Sequence, residues 1–237
     1  MYSRSAQFYD LMYSGKDYAR AADVLRGHIA ARVPDATNLL DVGCGTGRHL
    51  EHLQSTHAVE GLDLSPDLLA VARDRCPRVP MHEGDMVELD LVRRFDVVTC
   101  LFSAIGFVRT PDRLRRAISR MAAHLRPGGL LVVEPWFTPQ TYWHGHVVAD
   151  FHDTPHLKLA RMYVQGGGDG IYAFDFQFLA ADARGVEHLV ERHELGLFSD
   201  EEYRDAVRAS GLRVEHDTDG LFDRGLYFGI APPPAPE

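Results

Sequence analysis

The run Asn38-Leu39-Leu40-Asp41-Val42 passes directly into Gly43-Cys44-Gly45-Thr46-Gly47, and a helical stretch from Arg48 to Gln54 follows at once. A strand, a glycine-rich turn and a helix in that order open a parallel sheet that receives nucleotides at its strand ends. The alternation then repeats. Ala58 to Asp63 reads as a second strand, and Pro66 to Arg75 as a helix with Ser65 as its N-cap. A short third strand lies around Val79 to Glu83, and a fourth runs from Phe95 to Leu101. Pro111 to Leu125 is amphipathic and ends at Pro127-Gly128-Gly129. Leu130 to Glu134 is a continuous apolar run, as a buried central strand requires. Ahead of the motif, Ala21, Ala22, Leu25 and Ile29 recur at helical spacing between Tyr18 and Arg32, and Pro34 stops the pattern.

After Pro135 the period changes from helical to β. Tyr172, Phe174, Phe176 and Phe178 alternate with Ala173, Asp175 and Gln177, and residues 146–198 read as antiparallel strands with a hairpin at Gly166 to Gly170. Ser199 and Glu202 form a capping box for a helix to Ser210, and strands over Leu212 to Asp217 and Gly225 to Ile230 close the chain. The expected organisation is one α/β domain. It has a helical cap over 1–37, a cofactor-binding core over 38–135, an antiparallel β insertion over 139–198 and closing elements over 199–231. A flexible tail, rich in proline, covers 232–237.

Composition narrows the function classes. Hydrophobic residues at 45% and charged residues at 25% of 237 exclude disorder for the chain as a whole. With 25 basic against 34 acidic residues, the net charge of −9 argues against nucleic acid as the main partner. No apolar run is long enough to span a bilayer, and the first residues lack the apolar core of a signal peptide. Cys44, Cys76 and Cys100 make neither a disulfide framework nor a metal cluster, so a cytoplasmic protein is expected. The 13 histidines include the close pairs His49/His52 and His144/His146, without cysteine or carboxylate company at zinc-like spacing. They are expected to be solvated, and no metal is expected.

The glycine motif itself lacks the lysine of a P-loop, and Gly43, Gly45 and Gly47 are not spaced as in a dinucleotide fingerprint. Asp63, at the end of the second strand, is placed to accept both hydroxyls of an adenosine ribose. A ligand-free tight turn would use the same glycines. Taken together, Asp41 to Gly47, Gly61-Leu62-Asp63-Leu64-Ser65, Glu83-Gly84-Asp85-Met86 and Leu125-Arg126-Pro127-Gly128-Gly129 resemble the class I S-adenosylmethionine methyltransferases. That resemblance covers more than a third of the chain. It implies a Rossmann-like, mainly parallel seven-stranded sheet with the antiparallel insertion as a lid.

The resemblance also implies roles for particular residues. Asp41 would anchor the glycine turn, Gly43, Cys44 and Gly45 would approach the methionine moiety, and Asp63 would take the ribose. Asp85 would accept the adenine amine (or cap a turn), with Met86 and Leu64 on the two faces of the base. Tyr13, Tyr18 and Leu101 complete the implied cofactor set.

A narrower likeness covers nearly the whole chain. Phe8 to Tyr13 with Gly15 to Tyr18, Phe102 to Gly106, Glu134 to Phe137 and Arg224 to Gly229 resemble the N,N-dimethyltransferases of nucleotide-linked amino-deoxysugars. It implies successive methyl transfer to a TDP-sugar amine in antibiotic biosynthesis. Tyr2 would then orient the amine, unless it is only a frayed terminal residue. Phe107 stands where some relatives carry a histidine, and forms either a cation–π wall or core. Arg224 fits a phosphate contact, while Arg161 is either a second one or a surface arginine. Ser103, Glu134, Trp136, Tyr163 and Tyr172 are further acceptor-site candidates, whereas Phe174, Phe176 and Phe178 are read as core. Two other readings stay open: N- or O-methylation of another small natural product, and a cofactor-binding module without catalysis. The exposed faces of the insertion suit a homodimer, which no motif demands.

Overall fold

The all-buried strand β1 (Asn38–Val42) organises the molecule, because both of its faces are covered by helices. In this computed structural model, which describes residues 5–168 and 170–234, β1 pairs in parallel with β2 (Ala58–Asp63) on one side and β4 (Phe95–Cys100) on the other. Successive β1 residues serve opposite faces. Leu40 and Val42 join the apolar cluster under α5 (Pro111–Ala123) and α6 (Asp200–Ala209), while Leu39 joins the cluster under α2 (Tyr18–Arg32) and α3 (Arg48–Leu53). A short helix α1 (Tyr9–Met12) precedes these, and α4 (Pro66–Arg75) packs outside β2 and β3 (Met81–Glu83). The remaining strands of this sheet are β5 (Leu125–Val133), β10 (Arg213–Asp217) and β11 (Leu226–Ile230).

The seven strands lie in the order β10-β11-β5-β4-β1-β2-β3, with β11 antiparallel to both neighbours. A second sheet, β6 (Val147–Asp153), β7 (Lys158–Val164), β8 (Ile171–Asp182) and β9 (Gly185–Gly196), is antiparallel throughout. Its inner face carries Leu159, Phe174, Phe176, Phe178, Leu189 and Leu195 against Phe8 and Met12. The expected fold class is therefore the one observed. Among the described residues, no helix is long and apolar enough to cross a membrane.

The caps read from the sequence are made. Ser65 accepts from Leu68 N at 3.3 Å, and Ser199 and Glu202 bond reciprocally at the start of α6. The boundary between α5 and β5 differs most from the expected one. Helix α5 stops at Ala123 and β5 starts at Leu125, five residues before the apolar run expected to form it. Leu125 pairs with Phe95, and a register break between Phe95 and Val97 absorbs the Pro127–Gly129 turn within the strand.

The expectation of solvated histidines also fails at three positions. His49, His124 and His193 are buried. His124 is held by both ring nitrogens: Leu91 N donates to Nε2 at 2.8 Å, so Nδ1 is protonated and donates to Arg120 O at 2.7 Å. It ties the end of α5 to the loop before β4.

The sheet leaves no room where β2 passes the glycine turn. A Cβ on Gly61 would lie 2.8 Å from Cys44 Sγ, Leu50 Cδ1 and Met81 Sδ. Gly61→Ala is expected to destabilise the protein by about 1–3 kcal/mol through overpacking, lowering Tm by roughly 2–10 °C in scanning calorimetry.

Candidate active site

Strand order reverses at β1, so the chain leaves β1 toward β2 and returns to β4 on its other side. Open α/β sheets bind ligands beyond the strand ends at such a point. Here the glycine turn follows β1 and Leu101-Phe102-Ser103 follows β4, and both border a cavity of about 1120 Å³. One wall of the cavity belongs to the parallel sheet, the other to the inner face of the second sheet. The volume exceeds that of a site for one drug-sized molecule and matches two ligands side by side.

On the sheet side, Gly43 N and Cys44 N both donate to Leu62 O, at 2.7 and 3.0 Å, tying the turn to β2. Asp63 closes the same turn: its Oδ2 accepts from Gly45 N and its Oδ1 from Ser65 N, both at 2.8 Å. Gly43 has φ +75°, and a Cβ there would lie 2.6 Å from the Ala104 Cβ. Asp85 caps a short 3₁₀ turn through Val87 N at 2.9 Å and pairs with Arg113 at 2.9 Å. It is thus a turn cap that also borders the cavity, with Leu64, Met86 and Leu101 beside it.

On the other side, Phe102 and Ser103 adopt positive φ of 51° and 64°, a strained conformation for residues with side chains. Glu134 stabilises that bend by accepting from Phe102 N at 2.6 Å, and Ser103 Oγ donates to Pro135 O at 2.9 Å. Arg224 in turn donates to Ser103 Oγ at 2.6 Å, with Phe102 and Phe137 rings against its guanidinium. Arg161 is buried, not a surface arginine. It forks onto Asp150 and lies among the rings of Tyr13, Tyr163 and Phe176.

Of the residues singled out from sequence, Tyr13, Gly43, Gly45, Asp63, Leu64, Asp85, Met86, Leu101, Ser103, Phe107, Trp136, Arg161, Tyr163 and Arg224 all border the cavity. Five do not. Asp41 is buried beneath the turn and accepts from Thr99 Oγ1 at 2.7 Å. The Cys44 side chain points under β2 toward Gly61, into the core. Tyr18 packs its ring on His49 at 5.1 Å, Glu134 lies under the Phe102 bend, and Tyr172 packs on Tyr142 at 4.3 Å. Tyr2 lies outside the described residues. Phe174 and Phe176, expected mainly in the core, also border the cavity, because the inner face of the second sheet is both core and wall. Tyr9, Arg113 and His193 border it too without having been singled out for it; for Tyr9, its place in the Phe8–Tyr13 motif was the available signal.

Residues 39–129 match the family described as methyltransferase domain. A dTDP-3-amino-3,4,6-trideoxy-alpha-D-glucopyranose N,N-dimethyltransferase of Streptomyces venezuelae is 40% identical over 95% of this chain and 97% of its own length. A dTDP-4-amino-2,3,4,6-tetradeoxy-D-glucose N,N-dimethyltransferase of Saccharopolyspora spinosa is 37% identical over 95% of this chain and 92% of its own. Among solved structures, Streptomyces venezuelae DesVI superposes with a TM-score of 0.91, at 39% identity, covering 98% of this chain and 100% of that one. S-adenosylmethionine-bound CalS10, an amino pentose methyltransferase from Micromonospora echinaspora, superposes with a TM-score of 0.86 at 38% identity, covering 97% and 98%.

The residues present fit S-adenosylmethionine, a ligand with a cationic sulfur and a cationic amine. Gly45 would meet nothing within 4 Å if it carried a Cβ, so the turn leaves open space there. Buried carboxylates stand at the ends of β1, β2 and β5. Burial pushes Asp41 up to about 7 and Glu134 up to about 7, the latter against the pull of Arg224, and raises Asp63 against its backbone N–H donors. Glu134 Oε1 has no hydrogen-bond partner among the described residues. A bound cation favours the charged form of all three.

The sign for stability follows. A carboxyl raised in the folded state contributes stability that is present below its unfolded pKa and is lost as pH rises through its folded value. The free protein should therefore lose stability between about pH 4.5 and 7. Glu134→Gln, which keeps an acceptor for Phe102 N, should flatten that fall in Tm, measured by scanning calorimetry across the range; an unchanged slope would remove Glu134 as its source.

Proposed function

This chain belongs to the S-adenosylmethionine-dependent sugar N-methyltransferases, and from that membership we propose that it dimethylates the amine of a TDP-linked amino-deoxysugar. It is an S-adenosylmethionine-dependent N-methyltransferase. The observation that carries the acceptor assignment is Arg224. Each of the other arginines bordering the cavity, Arg109, Arg113, Arg161 and Arg192, is paired with a carboxylate, whereas Arg224 forms no ion pair among the described residues. In an acidic protein, an uncommitted guanidinium in a cavity is a ready partner for phosphate oxygens.

S-adenosylmethionine supplies an electrophilic methyl group on a positively charged sulfur. In this reading Asp63 takes the ribose hydroxyls, since a carboxylate holding two backbone N–H groups keeps further lone pairs. Asp85 receives the adenine amine by the same argument, with Leu64 and Met86 against the base. Gly43 and Gly45 let the backbone approach the methionine part, and Tyr13 walls the seam between the two halves. Ser103 and Arg224 hold the diphosphate, and Trp136, Tyr163 and Arg161 border the sugar and base. The chain's contribution to rate is alignment in a largely apolar pocket, with the amine nitrogen brought within roughly 3–3.5 Å of the methyl carbon.

Mass spectrometry of the purified protein with S-adenosylmethionine and a TDP-3-amino-3,6-dideoxyhexose tests the reading. Accumulation of the dimethylated sugar nucleotide is expected. Absence of product with the cofactor bound would move the acceptor to 4-amino sugars and then to finished glycosides. Arg224→Ala should raise the acceptor KM roughly 10- to 100-fold, the loss of charge-assisted hydrogen bonds, and leave cofactor affinity within about twofold; unchanged acceptor kinetics would overturn the phosphate contact.

The outer face of the second sheet supports a further element, a second copy of this chain. Val147, Phe151, Met162, Leu179 and Val190 are exposed on it, an apolar patch unusual for a monomer. Sedimentation should give twice the chain mass, and Phe151→Asp should shift it to one.

A further inference from the structure

Arg224 reaches the cavity from the connection between β10 and β11, residues 218–225, which folds back on itself: a Cβ on Gly220 would lie 2.7 Å from Gly225 N and O. Leu221 of this connection is buried in the apolar cluster under α2 and α3, and the Phe222 ring packs on that cluster while only partly buried. Asp223 then adopts φ +61°, a left-handed bend that aspartate tolerates better than most residues. The bend sends Phe222 and Arg224 to one and the same ring. Phe222 meets Phe102 edge-on at 5.4 Å and 81°, and the Arg224 guanidinium lies 5.3 Å from the centre of Phe102.

The restraints on that guanidinium are modest, one neutral hydroxyl and the faces of Phe102 and Phe137, so its direction follows the Phe102 ring. That ring stands on the strained bend after β4 and is gripped from two sides. Tyr13 at 5.0 Å and Tyr18 at 6.0 Å hold it from the N-terminal helices, and Phe222 holds it from the closing connection. Phe222 is itself anchored, 5.8 Å from Tyr18 and 6.3 Å from His49, with Lys16 Nζ over its face at 5.2 Å. Edge-on ring pairs at these separations attract beyond the area they bury, and the cation adds to the grip. Without Phe222 one edge of Phe102 is bare and the Asp223 bend has lost its anchor, just ahead of an arginine with many rotamers. Phe222 does all this from behind the cavity wall, which it does not border.

We propose that Phe222 is a positioning residue for the acceptor: by clamping the Phe102 ring and the Asp223 bend, it holds the Arg224 guanidinium where the diphosphate of a sugar nucleotide arrives. The inference rests on the phosphate reading of Arg224 above. A guanidinium held in place before the phosphate binds loses less freedom on binding, which strengthens acceptor affinity and leaves the methyl-transfer step alone. The contribution of Phe222 therefore belongs to acceptor binding, and neither to the chemical step nor to the methyl donor.

The test is the calorimetric Kd of TDP and of S-adenosylhomocysteine, with acceptor KM and kcat measured on the sugar nucleotide that wild type methylates. Phe222→Ala should weaken TDP about 5- to 10-fold, the size of one or two lost edge-on pairs. Acceptor KM should rise by the same factor, with kcat and S-adenosylhomocysteine affinity staying within about twofold. Phe222→Tyr, which keeps the ring, should restore wild-type TDP affinity. In an Arg224→Ala background, Phe222→Ala should weaken TDP no further, because the group it positions is gone. An equal loss in both backgrounds, an equal loss for S-adenosylhomocysteine, or no loss at all overturns the role and marks Phe222 as packing. If Phe222→Ala unfolds, Phe222→Leu goes through the same cycle and decides. Absence of TDP binding by wild type, or binding that Arg224→Ala leaves unchanged, overturns the phosphate reading itself, and this role with it.

Discussion

The Asp63 carboxylate, closing the glycine turn by accepting from Gly45 N and Ser65 N, is the contact on which the rest depends. It fixes the backbone between β1 and α3 and the start of α4 at once, while Leu62 O takes the N–H groups of Gly43 and Cys44. Placing a nearly buried carboxylate there is costly unless N–H donors surround it. Those same donors are what leaves the turn open and rigid at the cavity edge.

Charge in the cavity is spent sparingly by a protein of net charge −9. Most of the arginines that reach it are neutralised by carboxylates, Arg161 by Asp150 on the adjacent strand and Arg113 of α5 by Asp85 after β3. Arg224 is left to a hydroxyl and two aromatic faces. The strained Phe102–Ser103 bend presents that hydroxyl, and buried Glu134 holds the bend. A residue singled out as a ligand to the acceptor thus acts one layer below it, through the backbone.

The second sheet has one face that is both core and wall. Phe174 and Phe176 pack against Tyr163 and also border the cavity, so apolar burial and ligand enclosure draw on the same side chains. Alternation alone cannot separate these uses, since period two reports which face a side chain occupies and not what lies opposite.

What the sequence determined by itself was whatever is encoded over short spans: the strand–turn–helix at Asn38 to Gln54, the capping box at Ser199 and Glu202, and the strand-end positions of Gly43, Gly45, Asp63 and Met86, which border the cavity. Periodicity and turn chemistry act between neighbours, and a single chain displays them. Only the tertiary structure decided that Asp41, Cys44 and Glu134 sit behind the cavity, that Arg161 is buried on Asp150, and that His193 meets Phe107. Those outcomes depend on which faces of two sheets meet, and packing between segments far apart in the chain leaves no local periodic trace.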